Sequence, residues 1–245
     1  FKNPTDVELD LAARFARLPE SPQRTRNFEA FAASGLPTRR KEAWKWSDVR
    51  AALKTISEDT SAPVEHTPFS SIDDTITIIW SAKGLEVQAG LPDGLRVIQQ
   101  EKGNALGGAE DLPMAALGAA LSNKPGAALI EVTKPIDQVI HLVLKADAPA
   151  HFGRLSFVLR DDATLHVMES HLGGGGFSSL VLEYGLQDNA TLTRSIFQNA
   201  ADGGVHTVTG LVHLNAGAKL NQTHLGFGSR LARLETRVFH HGPEA

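Results

Sequence analysis

Aligning the chain on the alanine of Asp162-Ala163-Thr164-Leu165 brings Ala190, Ala218 and Ala245 into one column, at successive intervals of 27, 28 and 27 residues. Six residues before the alanine stand Phe157, Tyr184, Val212 and Phe239; four before it stand Leu159, Leu186, Leu214 and His241; two after it stand Leu165, Leu192 and Leu220. Residues two apart in a strand share a face, so these columns predict inward stacks, with Val158, Gly185, His213 and His240 pointing outward. A near-constant period with β texture predicts a solenoid, because one coil buries its apolar face only against the coils above and below it. An antiparallel sandwich also alternates, but nothing in it would hold the same columns at a fixed interval. The expected fold is mainly β: a right-handed parallel β-helix with two strands and two corners per coil. One corner is placed at Asp161-Asp162, Asp188-Asn189 and Ala216-Gly217, where short side chains tolerate a tight backbone. A weaker, earlier copy runs through Ile130, Val132 and Ile136.

Upstream the texture differs. Asn3-Pro4 reads as a cap and first-turn proline, Val7, Leu11, Phe15 and Leu18 recur at helical spacing, and Pro19 ends the run. Ser21-Pro22 repeats the start signal, Phe28 and Phe31 supply an apolar face, and Gly35 ends it. A third helix is expected to open at Thr38 and carry Trp44 and Val49. From about Ser61 short β-type runs begin: Thr75–Trp80, Leu85–Gln88, Leu95–Gln99, Leu129–Val132 and Val139–Leu144, with one helical excursion at Pro113–Leu121. The domain division is a helical region over 1–60 and the β-helix over 61–245.

A formal charge of −4 leaves no surplus for neutralising phosphates, which argues against nucleic-acid binding; Arg39-Arg40-Lys41 is the one basic run. The chain has no cysteine, so disulfides, thiolate metal sites and a cysteine nucleophile are excluded, and a reducing cytoplasm fits. The longest apolar runs fall far short of the ~20 residues that span a bilayer. Phe1 in place of a methionine, with no apolar leader after it, predicts a trimmed rather than exported chain.

Four features could carry chemistry. Gly173–Gly176 lacks the helix and Lys-Ser/Thr of a phosphate loop and reads as a flexible corner. Nine of the ten histidines lie at or after His141 without a metal-ligand spacing, and are expected at surfaces or edges. His241, in a leucine column, is either a polar end to the core or a buried group that needs a partner. Asp161, Asp162 and Asp188 would serve a carbohydrate-active β-helix enzyme, a lyase or hydrolase, only if a base such as Arg194 converged with them in a groove. In Leu36-Pro37-Thr38-Arg39-Arg40-Lys41-Glu42-Ala43-Trp44-Lys45-Trp46, three cations oppose the dipole of the helix expected there. Tryptophan and arginine in that pattern suit an interface.

That last stretch resembles the Leu-Pro-Thr-Arg-x-x-Glu-x-Trp-Lys-Tyr signature of the SufB/SufD family of iron–sulfur cluster assembly scaffolds, with Trp46 in place of the usual tyrosine and Ala43 where asparagine is common. The resemblance extends diffusely through Asn123–Val132 and Ser229–Ala245. The absence of cysteine resembles the SufD branch. The resemblance implies a non-enzymatic scaffold subunit that pairs with a SufB-like subunit and engages a SufC-type ATPase. The iron–sulfur cluster, and ATP through the ATPase, then belong to the assembled complex, and this chain holds no cofactor of its own. It implies no catalytic, cofactor-binding or metal residue here. Family members continue through further coils, so Ala245 is expected to leave an open edge through which the isolated chain associates with itself or a partner. An unrelated solenoid adaptor is the remaining alternative.

Overall fold

A computed structural model describes residues 1–56, 65–88, 90–99, 108–122 and 127–245. The expected boundary at 60/61, and the start of the Asn123–Val132 stretch, lie outside the described residues.

Eight ten-residue or near ten-residue strands build four coils: β5 (Val139–Ala146) with β6 (Ala150–Leu159), β7 (Thr164–Gly173) with β8 (Phe177–Leu186), β9 (Thr191–Ala200) with β10 (Val205–Leu214), and β11 (Lys219–Gly228) with β12 (Leu231–His240). Upstream lie β1 (Thr75–Ser81), β2 (Gly84–Val87), β3 (Leu95–Gln99) and β4 (Ala127–Val132). They form two six-stranded sheets, ordered β11-β9-β7-β5-β1-β2 and β12-β10-β8-β6-β4-β3. Among the described residues, pairing between coils is parallel, and the outermost β2 and β3 alone run antiparallel, at the first end of the stack. This is the parallel β-solenoid the repeat predicts.

The column assignments hold through three coils. Phe157 pairs with Tyr184 and Tyr184 with Val212; Leu159 pairs with Leu186 and Leu186 with Leu214; Leu165 pairs with Leu192 and Leu192 with Leu220. Phe157 and Tyr184 stack ring on ring at 4.8 Å. These side chains fill one cluster between the sheets.

The corner explains the alanine column. Asp162, Asn189, Gly217 and Glu244 all have left-handed backbone, with φ of 60°, 58°, 66° and 59°, and an alanine follows each. Asp and Asn tolerate that region and glycine takes it freely. At Gly217 a β-carbon would also lie 2.5 Å from Asn189 Oδ1. The corners are laced along the axis by backbone bonds: Asp162 N–H to Asp188 O (2.9 Å), Asn189 N–H to Ala216 O (2.8 Å) and Gly217 N–H to Pro243 O (3.0 Å).

The fourth coil departs from the expected register. Val212 pairs with Val238 and Leu214 with His240, so Phe239 stands beside His213 on the outer face. Five positions separate His240 from Ala245 where four separate Leu214 from Ala218, so the segment before the corner absorbs one extra residue. Counting back from the alanine therefore shifts Phe239 and His241 by one. His241 is neither a core end nor a buried group: it is exposed and lies parallel to His213, with Nε2 2.9 Å from His213 Nδ1.

The N-terminal region packs on the outer face of the second sheet. Helix α1 (Asp6–Ala16) is capped by Thr5, not Asn3: Thr5 Oγ1 accepts from Glu8 N–H, and the Glu8 carboxylate accepts from Thr5 N–H. Glu8 is buried and also accepts Leu36 N–H at 2.8 Å. Helix α2 (Pro22–Ser34) starts after Ser21 and stops at Gly35, as expected. The third helix does not form from Thr38. The chain makes a turn there, a short 3₁₀ segment at Glu42–Trp44, and then α3 (Val49–Ala52), capped by Asp48. Three cations with no acid ahead of them disfavour a helix start, whereas Asp48 supplies the acceptor. Helix α4 (Pro113–Leu121) matches its expected bounds and is buried between α2 and strands β6, β8 and β10. Trp44 is buried beneath the Arg233 guanidinium, 4.1 Å from its ring centroid, which fastens this region to β12. Among the described residues no helix is long and apolar enough to cross a membrane.

Candidate functional site: a polar lumen between the sheets

Strands β7, β9 and β11 are apolar inside at the end near the Asp162 corner and carry polar side chains further along the same face. Leu165 and Val167 face the core, and the same face of β7 continues through Glu169 and His171. On β9 it continues from Leu192 through Arg194 to Gln198, and on β11 from Leu220 through Gln222 to His224.

Glu169 and Arg194 are fully buried and paired side on: Arg194 Nε donates to Glu169 Oε1 at 2.7 Å and Nη2 to Oε2 at 3.0 Å. The Tyr184 hydroxyl also donates to Oε1, and His171 Nε2 lies 2.8 Å from Oε2. Arg194 Nη1 reaches Gln222 Oε1 at 2.6 Å, and its guanidinium lies over the Tyr184 ring at 4.4 Å. Burial alone would raise the Glu169 carboxyl, but the Arg194 charge, then the bond and charge of His171, outweigh it and hold the group well below the carboxylate range. Burial would likewise depress Arg194, yet the Glu169 charge keeps it firmly protonated. Burial pushes the Tyr184 hydroxyl well up, with Glu169 adding to the effect, so it stays a donor. With both carboxylate oxygens doubly engaged, this is a fixed ion pair, not a free general base.

His206 Nε2 donates to Gly174 O at 3.0 Å, which leaves Nδ1 to accept from the Ser178 hydroxyl at 2.8 Å; burial lowers its pKa, consistent with a neutral ring. His151, buried beside the edge of Trp80, is pushed down to about 4 by burial, against the pull of Asp147 and the Lys145 backbone. The folded-state value lies below the unfolded one of about 6.5, so the unfolded chain takes up the proton first. The stability tied to His151 is therefore complete above about pH 6.5 and is lost as pH falls to about 4, by about 3 kcal/mol. Urea unfolding of the native protein and of His151→Leu across that window measures this. The difference between the two should shrink by that amount on acidification; parallel losses would show that His151 is not involved.

Four histidines expected at surfaces or edges are thus buried: His141, His151, His171 and His206. The Gly173–Gly176 corner is closely packed. At Gly176 a β-carbon would lie 2.7 Å from both Ala148 O and Pro149 O of the coil before, and at Gly173 it would collide with His206. Asp161, Asp162 and Asp188 sit on the exposed corner, bonded to each other's coils through Asp188 N–H to Asp161 Oδ1 (3.2 Å) and Asn189 Nδ2–H to Asp162 Oδ1 (3.2 Å). Arg194 is fully buried in its ion pair with Glu169, so the basic residue a carbohydrate enzyme would need does not converge with these aspartates. Among the described residues no three His, Asp or Glu side chains are placed to hold a metal ion. On the outer face, Arg154 and Glu183 form a second buried pair at 2.6 and 2.8 Å, with Ser156 Oγ donating to Glu183 at 2.7 Å.

Sequence reasoning missed Glu169, Tyr184 as a donor, and Arg154–Glu183. Following each inward column along its strand in steps of two would have reached Glu169 four residues after Leu165 and Arg194 two residues after Leu192.

Residues 142–245 match a family model described as the SufBD core domain of SUF system FeS cluster assembly. The matched segment begins in β5 and runs through all of the polar lumen. No curated protein matches the chain.

Proposed function

We propose that this chain, whose SufBD core domain supports membership of the SufB/SufD family and a role in SUF iron–sulfur cluster assembly, is a SufD-type scaffold subunit. The match over residues 142–245 carries this reading. The finer assignment to the SufD branch rests on the absence of cysteine and on the Leu36–Trp46 motif. In this reading the subunit works in the cytoplasm, pairs with a SufB-like subunit, engages a SufC-type ATPase, and has no catalytic activity alone. The cluster is the product of the complex, and ATP acts through the partner. Co-expression of this chain with a SufB-like and a SufC-type protein from one host, followed by size-exclusion chromatography, tests it. A ternary complex is the expected result, and three separate peaks would refute it. For the chain alone, we expect no ATP hydrolysis and no retained iron. Stoichiometric iron lost on replacing a particular histidine would overturn the scaffold-only reading.

A further inference from the structure

Trp46 is 89% exposed, more than any other large apolar side chain among the described residues, whereas Trp44, on the same loop, is buried. A lone apolar side chain in water is ordinary. This one stands on a loop that also carries Arg39, Arg40, Lys41 and Lys45, all exposed, with Lys45 Nζ 5.2 Å over the indole ring. Among the described residues no ion pair takes up any of these four cations. Asp48, which shapes the loop, has both oxygens occupied by backbone, one by Arg39 N–H and the other by Ala51 N–H.

The loop is fixed from below. Leu36, Pro37, Trp44 and Val49 are buried, and Trp44 is clamped beneath Arg233. Arg50 N–H to Pro37 O (3.1 Å) ties the two ends together, and between them run Lys41 N–H to Thr38 O (3.0 Å), Trp44 N–H to Lys41 O (2.8 Å) and Ser47 N–H to Trp44 O (2.9 Å). The exposed side chains therefore project from a backbone that is already ordered, which removes part of the entropy cost of binding.

Charge selects the partner. Residues 39–46 hold four cations and one carboxylate, Glu42, in a chain whose formal net charge is −4. Screening confines the loop's positive field to about 10 Å. An extended phosphate surface, whether a membrane or a duplex, would also meet the acidic remainder of the chain. A short acidic segment of another protein touches the loop alone. Tryptophan and arginine are the side chains that most often anchor such contacts.

We propose that the Arg39–Trp46 loop docks an acidic peptide segment of a partner protein, whose carboxylates pair with Arg39, Arg40, Lys41 and Lys45 and one of whose aliphatic side chains covers the Trp46 ring.

The probe is a fluorescein-labelled peptide of about twelve residues, alternating glutamate and aspartate around one central leucine, titrated into the full chain and followed by anisotropy. A dissociation constant at or below about 100 µM in about 50 mM salt is expected, weakening roughly fivefold or more by about 200 mM. Acrylamide quenching reads Trp46, since Trp44 and Trp80 are buried, and saturating peptide should protect it. Trp46→Ala, and Arg39→Gln with Arg40→Gln, should each weaken binding by about tenfold or more while the urea midpoint stays unchanged. A peptide with lysine in place of every acid should not bind. No binding up to about 1 mM, equal binding of the lysine peptide, or affinity indifferent to these substitutions would overturn the proposal. So would tighter binding of oligothymidylate of the same length or of phosphatidylglycerol vesicles, which would assign the loop to nucleic acid or to a lipid surface.

Discussion

Glu169→Gln is expected to lower the unfolding free energy by about 3–5 kcal/mol, read as a fall in the urea midpoint with an unchanged slope. The substitution preserves shape, so the loss is electrostatic: Arg194 stays fully buried and charged, and the carboxylate that Nε and Nη2 now share becomes a neutral amide. Gln222 remains on Nη1 but carries no charge. Replacing both partners, Glu169→Leu with Arg194→Met, should recover most of the loss, since an apolar pair needs no desolvation of charges. The acid limb supplies a second readout. Glu169 is held below its unfolded value, near 4.3, so its contribution is present above that pH and disappears as pH falls toward the folded value. Unfolding of the Glu169→Gln variant should therefore be less sensitive to acid below about pH 4 than unfolding of the native protein. A loss under about 1 kcal/mol for the single substitution would mean that water or another group reaches Arg194 and that the lumen is not sealed.

The solenoid was legible because its two strictest demands recur locally. Each coil needs a residue that accepts left-handed backbone at the corner, and Asp162, Asn189 and Gly217 are such residues. Each coil needs an aliphatic residue on either side of that corner, and Leu159, Leu165, Leu186 and Leu192 supply them. The same reasoning slipped by one in the last coil because corner spacing and strand pairing are set independently. The alanine counts the corner, whereas β12 takes its register from β10, and the extra residue between them is invisible to a column count. The expected third helix failed for a different reason. Trp44 does pack inward, but the local chemistry of Arg39-Arg40-Lys41 opposes a helix start, and the turn is held by Asp48 accepting from Arg39 N–H instead.

The polar lumen was the least legible part. Glu169 and Arg194 are 25 positions apart, Arg154 and Glu183 29, and Ser178 and His206 28. Those distances are one coil, so partners are set by coil register and no motif of local spacing marks them. Histidines scattered over the last hundred residues read as surface residues for the same reason, although four of them are buried. Trp46 shows the converse. Its motif pointed to an interface, and it is 89% exposed with Lys45 Nζ 5.2 Å over its ring, while neighbouring Trp44 serves the fold.

Leu192→Ala is expected to cost about 2–5 kcal/mol, and Thr193→Ala, one residue away, within about half a kcal/mol. Leu192 has no exposed surface and lies in the column between Leu165 on β7 and Leu220 on β11, packed in the cluster that joins both sheets. Removing its side chain leaves a cavity that the coils on either side cannot collapse into, because their backbones are held by the parallel ladders on both edges of β9. Thr193 points to the other face, beside His166 and Asn221, and is only partly buried. The contrast tests the alternation that organises every column of the solenoid, including the polar one that begins two residues further on at Arg194. Urea unfolding of both variants on the same day gives the comparison directly. Equal losses would mean that the inward and outward faces of β9 are reversed or that the outer face is covered, and Arg194 could then no longer be placed opposite Glu169 inside the lumen.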